Sequence, residues 1–290
     1  MDKIIRGLTI IFILIFISSC GGGQGVTNHL KYFSMFTRNH DSGLDDFAPY
    51  SNLYRIGPII NYDDFFSAQF QESVARAKNH NLKLIIMVEK ALFIQSDAGL
   101  ILHPDYVNRI QAIKPILEPL DIAYLYLIGE PMVMRLSNAD LNTASDYIKQ
   151  EFPDIPIMFV ESGLPQYLDN LIIPDSVKAF GIDIYDVRNP NTDTGYKAAW
   201  HTLKSKLNCN QKIFIVSQAF ICPYHAFTES DMPEVINNYY HLAKLNHDVI
   251  GIIAFTWDVT GTDIADCKGA IDLPETQAVY KKIGHEITGK

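Results

Sequence analysis

The chain has 290 residues, of which 48% are apolar, and this is enough to bury a sizeable hydrophobic core. Its length fits one large domain or two small ones. Its formal net charge of −9 at pH 7 argues against nucleic acid as a partner, because nucleic-acid binding needs clustered Lys and Arg.

The first 19 residues have the pattern of a signal peptide and are left out of the fold. Lys3 and Arg6 precede an apolar stretch, Leu8 to Ile17, that is too short to span a membrane comfortably. The residues that follow, Ile-Ser-Ser-Cys, resemble the lipobox of bacterial lipoproteins. The resemblance implies that Cys20 is lipidated, for example with palmitate, and becomes the mature N-terminus. The alternative is an ordinary secretory signal with a chance cysteine.

The glycine-rich segment after the cysteine, residues 20–27, is predicted to be a flexible tether. In the lipoprotein family, Gly21 after the lipidated cysteine favours the outer membrane. We therefore expect a protein of the bacterial cell envelope that is anchored through its lipid and has one folded domain, residues 28–290. We expect this domain to be a monomer.

Eight apolar runs follow the tether, and most are separated by stretches of helical periodicity. The predicted strands are 29–37, 53–60, 82–88, 123–132, 155–160, 177–185, 212–218 and 249–256. The predicted helices are 65–79, 104–117, 137–152, 165–171, 196–207, 231–246 and 276–287. Alternating strands and helices imply parallel pairing, and eight such units match the size of a (β/α)8 TIM barrel. A doubly wound open sheet is disfavoured, because no strand is followed by a Gly-rich phosphate loop.

The fourth strand leads into the most informative stretch, AYLYLIGEPM. Gly129 allows a sharp turn, and Pro131 ends the strand because it has no N–H to donate. Between them stands one carboxyl group, Glu130, at the strand end where barrel enzymes build their active sites.

Polar side chains follow most of the other strands as well. They are Arg38, Glu89, Glu161, Asp183, Asp186, Gln218 and Asp258. Side chains alternate between the two faces of a strand, so Asp183 and Tyr185 are predicted to face the barrel interior while Ile182 and Ile184 pack on helices. A carboxyl group inside a barrel needs a partner or a chemical role, because burying it unpaired is costly.

These motifs resemble those of retaining glycoside hydrolases of clan A, which are (β/α)8 barrels. Their acid/base glutamate ends the fourth strand in Asn-Glu-Pro, where this chain has Gly129-Glu130-Pro131. Their sixth strand carries an aromatic-rich motif, loosely matched by Asp183-Ile184-Tyr185, and their eighth strand ends in a Trp that floors the sugar site, matched by Trp257.

The chain departs from the family at the nucleophile, a glutamate that ends the seventh strand. Gln218 stands there, and its neutral amide cannot form a glycosyl-enzyme ester. Gly129 in place of Asn also removes the usual donor to the sugar 2-hydroxyl. The retaining mechanism therefore cannot be transferred unchanged.

The first interpretation is a glycoside hydrolase that uses another pair of carboxyl groups. Glu130 would be the general acid, with Asp183 as the first choice of partner and Glu161 as the next. Their separation would set the outcome, about 5–5.5 Å for retention and about 6.5–9.5 Å for inversion. The substrate-binding candidates are Trp257, Tyr185, Gln218, Asp258, Glu89 and Arg38. Three of these have simpler explanations: Glu89 precedes Lys90 and could form a surface ion pair, Asp258 could cap a loop, and Trp257 could equally be a core residue.

The second interpretation is a barrel that binds glycans at the cell surface without cleaving them, as Gln218 suggests. The third is a barrel enzyme acting on something other than a glycan, such as a metal-dependent hydrolase. The nine His are scattered without a His-x-His pair, so we expect no metal and no cofactor. His225 is interpreted as a loop residue rather than a base.

Export to an oxidising compartment permits a disulfide. Cys222 follows the seventh strand and Cys267 follows the eighth, so both lie at the same end of the predicted barrel. Cys209 precedes the seventh strand, at the other end. We predict a Cys222–Cys267 bridge and a free Cys209.

Overall fold

The computed structural model describes residues 29–37, 43–58, 60–259 and 266–290. The predicted signal peptide, Cys20, the tether and Arg38 lie outside these residues. No helix in the described part of the chain is both long and apolar enough to cross a membrane.

Eight parallel strands form the barrel that the sequence predicts. They are β1 (Tyr32–Phe36), β2 (Leu53–Ile56), β3 (Lys83–Met87), β4 (Ile122–Gly129), β5 (Ile157–Ser162), β6 (Val177–Asp183), β7 (Lys212–Gln218) and β8 (Val249–Phe255). The hydrogen-bonded order is β1-β8-β7-β6-β5-β4-β3-β2, and every pair is parallel. The predicted (β/α)8 fold is confirmed.

The seam between β1 and β2 is closed largely by Asn52. Its backbone N–H donates to Phe33 O over 3.1 Å, and its side-chain Oδ1 accepts from Phe33 N over 3.0 Å. Its Nδ2 donates to Lys31 O over 2.7 Å, and Ser34 Oγ donates to Leu53 O over 3.0 Å. Side chains thus supply bonds at the one seam where the ladder is not continuous.

The helices cover the outside of the barrel. They are α1 (Leu44–Phe47), α2 (Ala68–Asn79), α3 (Glu89–Leu92), α4 (Tyr106–Leu117), α5 (Asn138–Glu151), α6 (Pro165–Leu168), α7 (Thr194–Lys206), α8 (Met232–Leu245) and α9 (Pro274–Thr288). Capping side chains start three of them: Ser67 accepts from Phe70 N, Ser137 from Asp140 N and Asp193 from Tyr196 N.

The core has two layers because strand side chains alternate. Leu125 and Leu127 pack outward against helices, whereas Tyr124 and Tyr126 fill the barrel interior. The same alternation places Ile182 among the outward residues, as predicted.

A hairpin, a second pair of short antiparallel strands, and the short helices α1 and α3 were not predicted. The hairpin pairs Phe93–Ser96 with Gly99–Leu102, and the second antiparallel pair joins Phe220–Ile221 to Lys268–Gly269. The second joins the segments after β7 and β8 at the end of the barrel where Glu130 lies.

Candidate active site

A cavity of about 320 Å³ opens at the C-terminal ends of the strands. Its floor and walls carry two carboxyl groups, Glu130 and Asp183, and one guanidinium, Arg55. Aromatic rings make up much of the remaining wall, namely Phe36, Tyr126, Tyr185, Phe220, Tyr224 and Phe255. A cavity that combines carboxyl groups with aromatic rings is suited to a cyclic ligand that carries hydroxyl groups around its edge and has apolar faces.

Glu130 sits in a strained turn at the end of β4. Its φ of 51° lies in the left-handed region, which is costly for a residue with a side chain. Its N–H donates to Val160 O over 2.7 Å, and its carbonyl accepts from Met134 N over 2.9 Å. The backbone is thus fixed on both sides, and burial raises the pKa of the half-buried carboxyl group.

The structure gives a local reason for a glycine at position 129. A Cβ at this position would come within 3.0 Å of the Tyr126 hydroxyl. A side chain at this position would therefore press against the tyrosine hydroxyl.

Asp183 faces the same cavity, as the alternation in β6 predicts. It is 8% exposed, and the Tyr185 hydroxyl donates to its Oδ2 over 3.2 Å. Its buried Oδ1 has no hydrogen-bond partner among the described residues. Burial, with the negative charge of Glu130 next in importance, raises the pKa of Asp183 to about 7. Asp183 therefore keeps its proton into the neutral pH range, and the pKa of Glu130 is shifted in the same direction.

Glu161 lies behind this pair rather than in the cavity wall. It is completely buried, its Oε2 accepts from Met132 N over 2.6 Å, and its Oε1 accepts from Ser162 N over 2.9 Å. Burial raises the pKa of Glu161 to about 7 despite these backbone bonds. Its carboxyl group braces the turn that follows Glu130, which does not fit the partner role the sequence suggested.

Gln218 also uses its side chain for structure. It is 1% exposed, its Nε2 donates to Phe220 O over 3.0 Å, and its Oε1 accepts from Asp186 N over 2.9 Å. Both ends of the amide are engaged with backbone, so the expected contact with a sugar hydroxyl is not supported by its position.

Of the two roles considered for Trp257, a sugar platform and a core residue, the structure shows the core position. It is 1% exposed, and its ring packs 5.5 Å from the Phe47 ring. Gly43, at φ 68°, permits this packing, because any side chain there would overlap the indole. The aromatic wall comes instead from Tyr185, which meets Phe220 at 5.2 Å and stacks on Phe255 at 6.2 Å.

The remaining candidates lie apart from the carboxyl pair. Glu89 begins α3, forms an ion pair with Lys90 at 3.5 Å, and lines a different depression. Asp258 is 1% exposed, and its carbonyl accepts from Thr256 Oγ1 over 2.9 Å. Neither is among the described residues that line the cavity.

The predicted disulfide is present: Cys222 is bonded to Cys267, while Cys209 is exposed and unbridged. Both bridged cysteines line the cavity. The bridge and the neighbouring antiparallel strand pair together join the segments that follow β7 and β8.

Two cavity residues were not singled out as site residues from the sequence. Arg55 lies 4.4 Å over the Phe36 ring, and its Nη2 donates to Thr37 O over 2.6 Å. His225 hydrogen-bonds through Nδ1 to the Asp186 carboxyl group. The sequence features that could have indicated this pair were Asp186 at a strand end and a histidine three residues after Cys222. No local sequence pattern connects the two.

Comparisons by sequence found no match, whereas comparisons by structure found proteins of the same fold. No family model matches the chain, and no curated protein matches it in sequence. Solved structures do match. A GH113 β-1,4-mannanase superposes with a TM-score of 0.56 at 12% identity, over 88% of this chain and 99% of the other. Native xylanase 10B from Thermotoga maritima gives 0.60 at 10% identity, over 89% and 97%.

A glucosidase from Croceicoccus marinus gives a TM-score of 0.63 at 10% identity, over 91% of this chain and 69% of the other. At these identities the likeness concerns the fold. The chain has the (β/α)8 barrel that these glycoside hydrolases share.

Proposed function

We propose that the protein hydrolyses glycosidic bonds of a poly- or oligosaccharide by carboxyl general acid catalysis. The observation that carries the proposal is the pairing of Glu130 and Asp183 in one aromatic cavity, with the pKa of each raised. A carboxyl group that keeps its proton near neutral pH can donate it to the departing sugar oxygen.

Glu130 is the general acid in this proposal, because its turn at the end of β4 fixes its backbone. Asp183, in its ionised form, balances the positive charge that develops at the anomeric carbon. Its buried Oδ1 has no hydrogen-bond partner among the described residues, so no donor there offsets the negative charge of the ionised form. Tyr185 holds the other oxygen and presents its ring to the sugar.

The fold supports this choice, since mannanase, xylanase and glucosidase neighbours share it. The test is release of reducing sugar from β-1,4-mannan and xylan, together with cleavage of aryl β-glucosides. Release that is lost in Glu130→Gln supports the proposal. No release from any of them would count against it.

A glycan-binding barrel without hydrolysis is the second candidate, and the engagement of Gln218 with backbone favours it. That position supplies no carboxyl group to form a covalent intermediate. Affinity electrophoresis against the same polysaccharides distinguishes the two, because a pure binding protein is retarded by a glycan that it does not shorten.

We further propose that the protein is a monomer and a lipoprotein that is anchored to the outer membrane through Cys20, the anchor being what the lipobox resemblance implies. Metabolic labelling with an alkyne analogue of palmitate tests the anchor. Label on the parent and none on Cys20→Ala supports it, and equal label on both contradicts it.

A further inference from the structure

Asp186 and His225 join the segments after β6 and β7 at the cavity. His225 Nδ1 is hydrogen-bonded to Asp186 Oδ2, and Ala226 N donates to Asp186 Oδ1 over 3.3 Å. Both oxygens of one carboxyl group are thus directed at a single short segment. An imidazole held in this way has a defined ring orientation.

The surroundings fix both partners. Asp186 has a φ of 60°, and its N–H is held by Gln218 Oε1 over 2.9 Å. His225 N donates to Cys222 O over 2.9 Å, next to the Cys222–Cys267 bridge. Gln218 therefore anchors the backbone of the residue whose carboxyl group orients the histidine.

The imidazole lines the same cavity as Glu130 and Asp183. Its side chain is 15% exposed, so it is sheltered but reachable. Nδ1 is occupied by Asp186, and Nε2 has no hydrogen-bond partner among the described residues. When Nδ1 carries the proton, Nε2 is a free acceptor, which is the arrangement of a general base oriented by a carboxylate.

We propose that His225, oriented by Asp186, is the general base that activates water in the glycosidic hydrolysis put forward above, on which this inference rests. Gln218 cannot attack the sugar, and Asp183 is assigned to balancing charge, so the attacking group in this proposal is water. Nε2 takes a proton from water, and the water oxygen forms a bond to the anomeric carbon. The glycosidic C–O bond breaks, and Glu130 gives its proton to the departing oxygen.

The cycle closes when His225 releases its proton to solvent and Glu130 takes one up. Atoms and charge balance, and no other reactant is needed. A single displacement by water inverts the configuration at the anomeric carbon. Inversion is therefore a direct consequence of the role of His225.

The experiment uses the purified full chain and the 2,4-dinitrophenyl β-glycosides of glucose, mannose and xylose. Dinitrophenolate leaves without needing a proton, so the acid is dispensable and the base is not. On the glycoside that the parent cleaves, Glu130→Gln should keep kcat within about tenfold, while His225→Ala should lose about 100-fold or more. The exposed His241, changed to Ala, is the matched control and should behave as the parent.

Azide gives a second readout that a purely structural histidine would not alter. Azide is already an anion and needs no base, so it should restore turnover to His225→Ala and yield a glycosyl azide of inverted configuration by NMR. Asp186→Asn should show a smaller loss, with the same rescue. Melting temperatures of all variants check that they are folded.

The role is overturned if His225→Ala stays within about threefold of the parent on this substrate. It is also overturned if activity is lost without azide rescue, or if the parent retains anomeric configuration. A parent that cleaves none of the glycosides overturns the proposed function and this role together. A parent that depends on Glu130 with natural leaving groups but is indifferent to His225 overturns this role alone.

Discussion

The backbone N–H of Asp186 donates to the side-chain Oε1 of Gln218 over 2.9 Å, and this bond ties the segment after β6 to the end of β7. The other end of the amide donates to Phe220 O. A glutamine can make both bonds at once, because it carries a donor and an acceptor. A glutamate cannot, since it would place a carboxylate against the Phe220 carbonyl.

Gln218→Glu should therefore fail to supply a nucleophile. We expect a loss of about 1–3 kcal/mol in the free energy of unfolding and no gain of activity, because a buried carbonyl loses its donor. Chemical denaturation measures the first quantity and aryl glycoside assays the second. Gln71→Glu, at an exposed position of α2, is the control. A more active Gln218→Glu would show that this side chain can turn to the sugar.

The raised pKa of Asp183 makes a prediction about stability and pH. The pKa is about 7 in the fold and about 3.9 in an unfolded chain, so between these values the folded state holds the extra proton. Stability then falls as pH rises from about 4 to about 7. Asp183→Asn should abolish or sharply reduce activity yet melt higher than the parent at pH 8, with little difference at pH 4.

Thermal melts across this pH range test the prediction. Part of the slope should remain in the variant, because the pKa values of Glu130 and Glu161 are raised as well. Exposed Asp154→Asn should follow the parent at every pH. If Asp183→Asn is the less stable protein at pH 8, the carboxyl group has a charged partner in the fold and its pKa is not raised.

Glu161 should act through the turn that it braces. Glu161→Gln places an amide N–H where Met132 N or Ser162 N now finds an acceptor, so the turn carrying Glu130 should shift. A displacement of about 1 Å can cost about 100-fold in rate. We expect a lower kcat, a nearly unchanged KM, and a lower melting temperature.

Glu118→Gln, which removes one partner of an exposed ion pair, is the control. It should leave kcat, KM and the melting temperature as in the parent. Azide rescue of Glu161→Gln with full stability would contradict the bracing role and return Glu161 to the catalytic partner suggested by the sequence.

Trp257 should matter for stability more than for sugar binding. Trp257→Ala removes a fully buried ring beside Phe47 and should cost about 3–5 kcal/mol. The melting temperature should fall by about 2–4 °C for each kcal/mol. Oligosaccharide affinity below the melting transition should change little, whereas Tyr185→Ala should weaken it. Weaker binding by Trp257→Ala at full stability would restore the platform role.

The sequence predicted the features that depend on regular strands. Alternation along β6 correctly placed Asp183 inside, and strand order correctly placed Cys222 and Cys267 at one end of the barrel. Both follow from a period of two and from parallel topology. Neither requires knowledge of how the loops run.

The parts that could not be predicted lie where strands stop. Beyond Phe255 the alternation no longer applies, and Trp257 turns into the core. The side chain of Gln218 is hydrogen-bonded to backbone groups of two segments, and Asp186 is hydrogen-bonded to His225, which lies 39 positions later in the sequence. Such contacts depend on loop paths, and no periodic pattern encodes them.

The central claim is acid catalysis of glycosidic cleavage by Glu130. The most direct test is kcat/KM of the parent and Glu130→Gln on xylo- and manno-oligosaccharides, whose departing alcohols need a proton, with melting temperatures measured beside it. The account predicts a loss of about 100-fold or more in Glu130→Gln with a melting temperature at or above that of the parent. Equal activity in the two proteins, or a variant that is inactive only because it has unfolded, would contradict it.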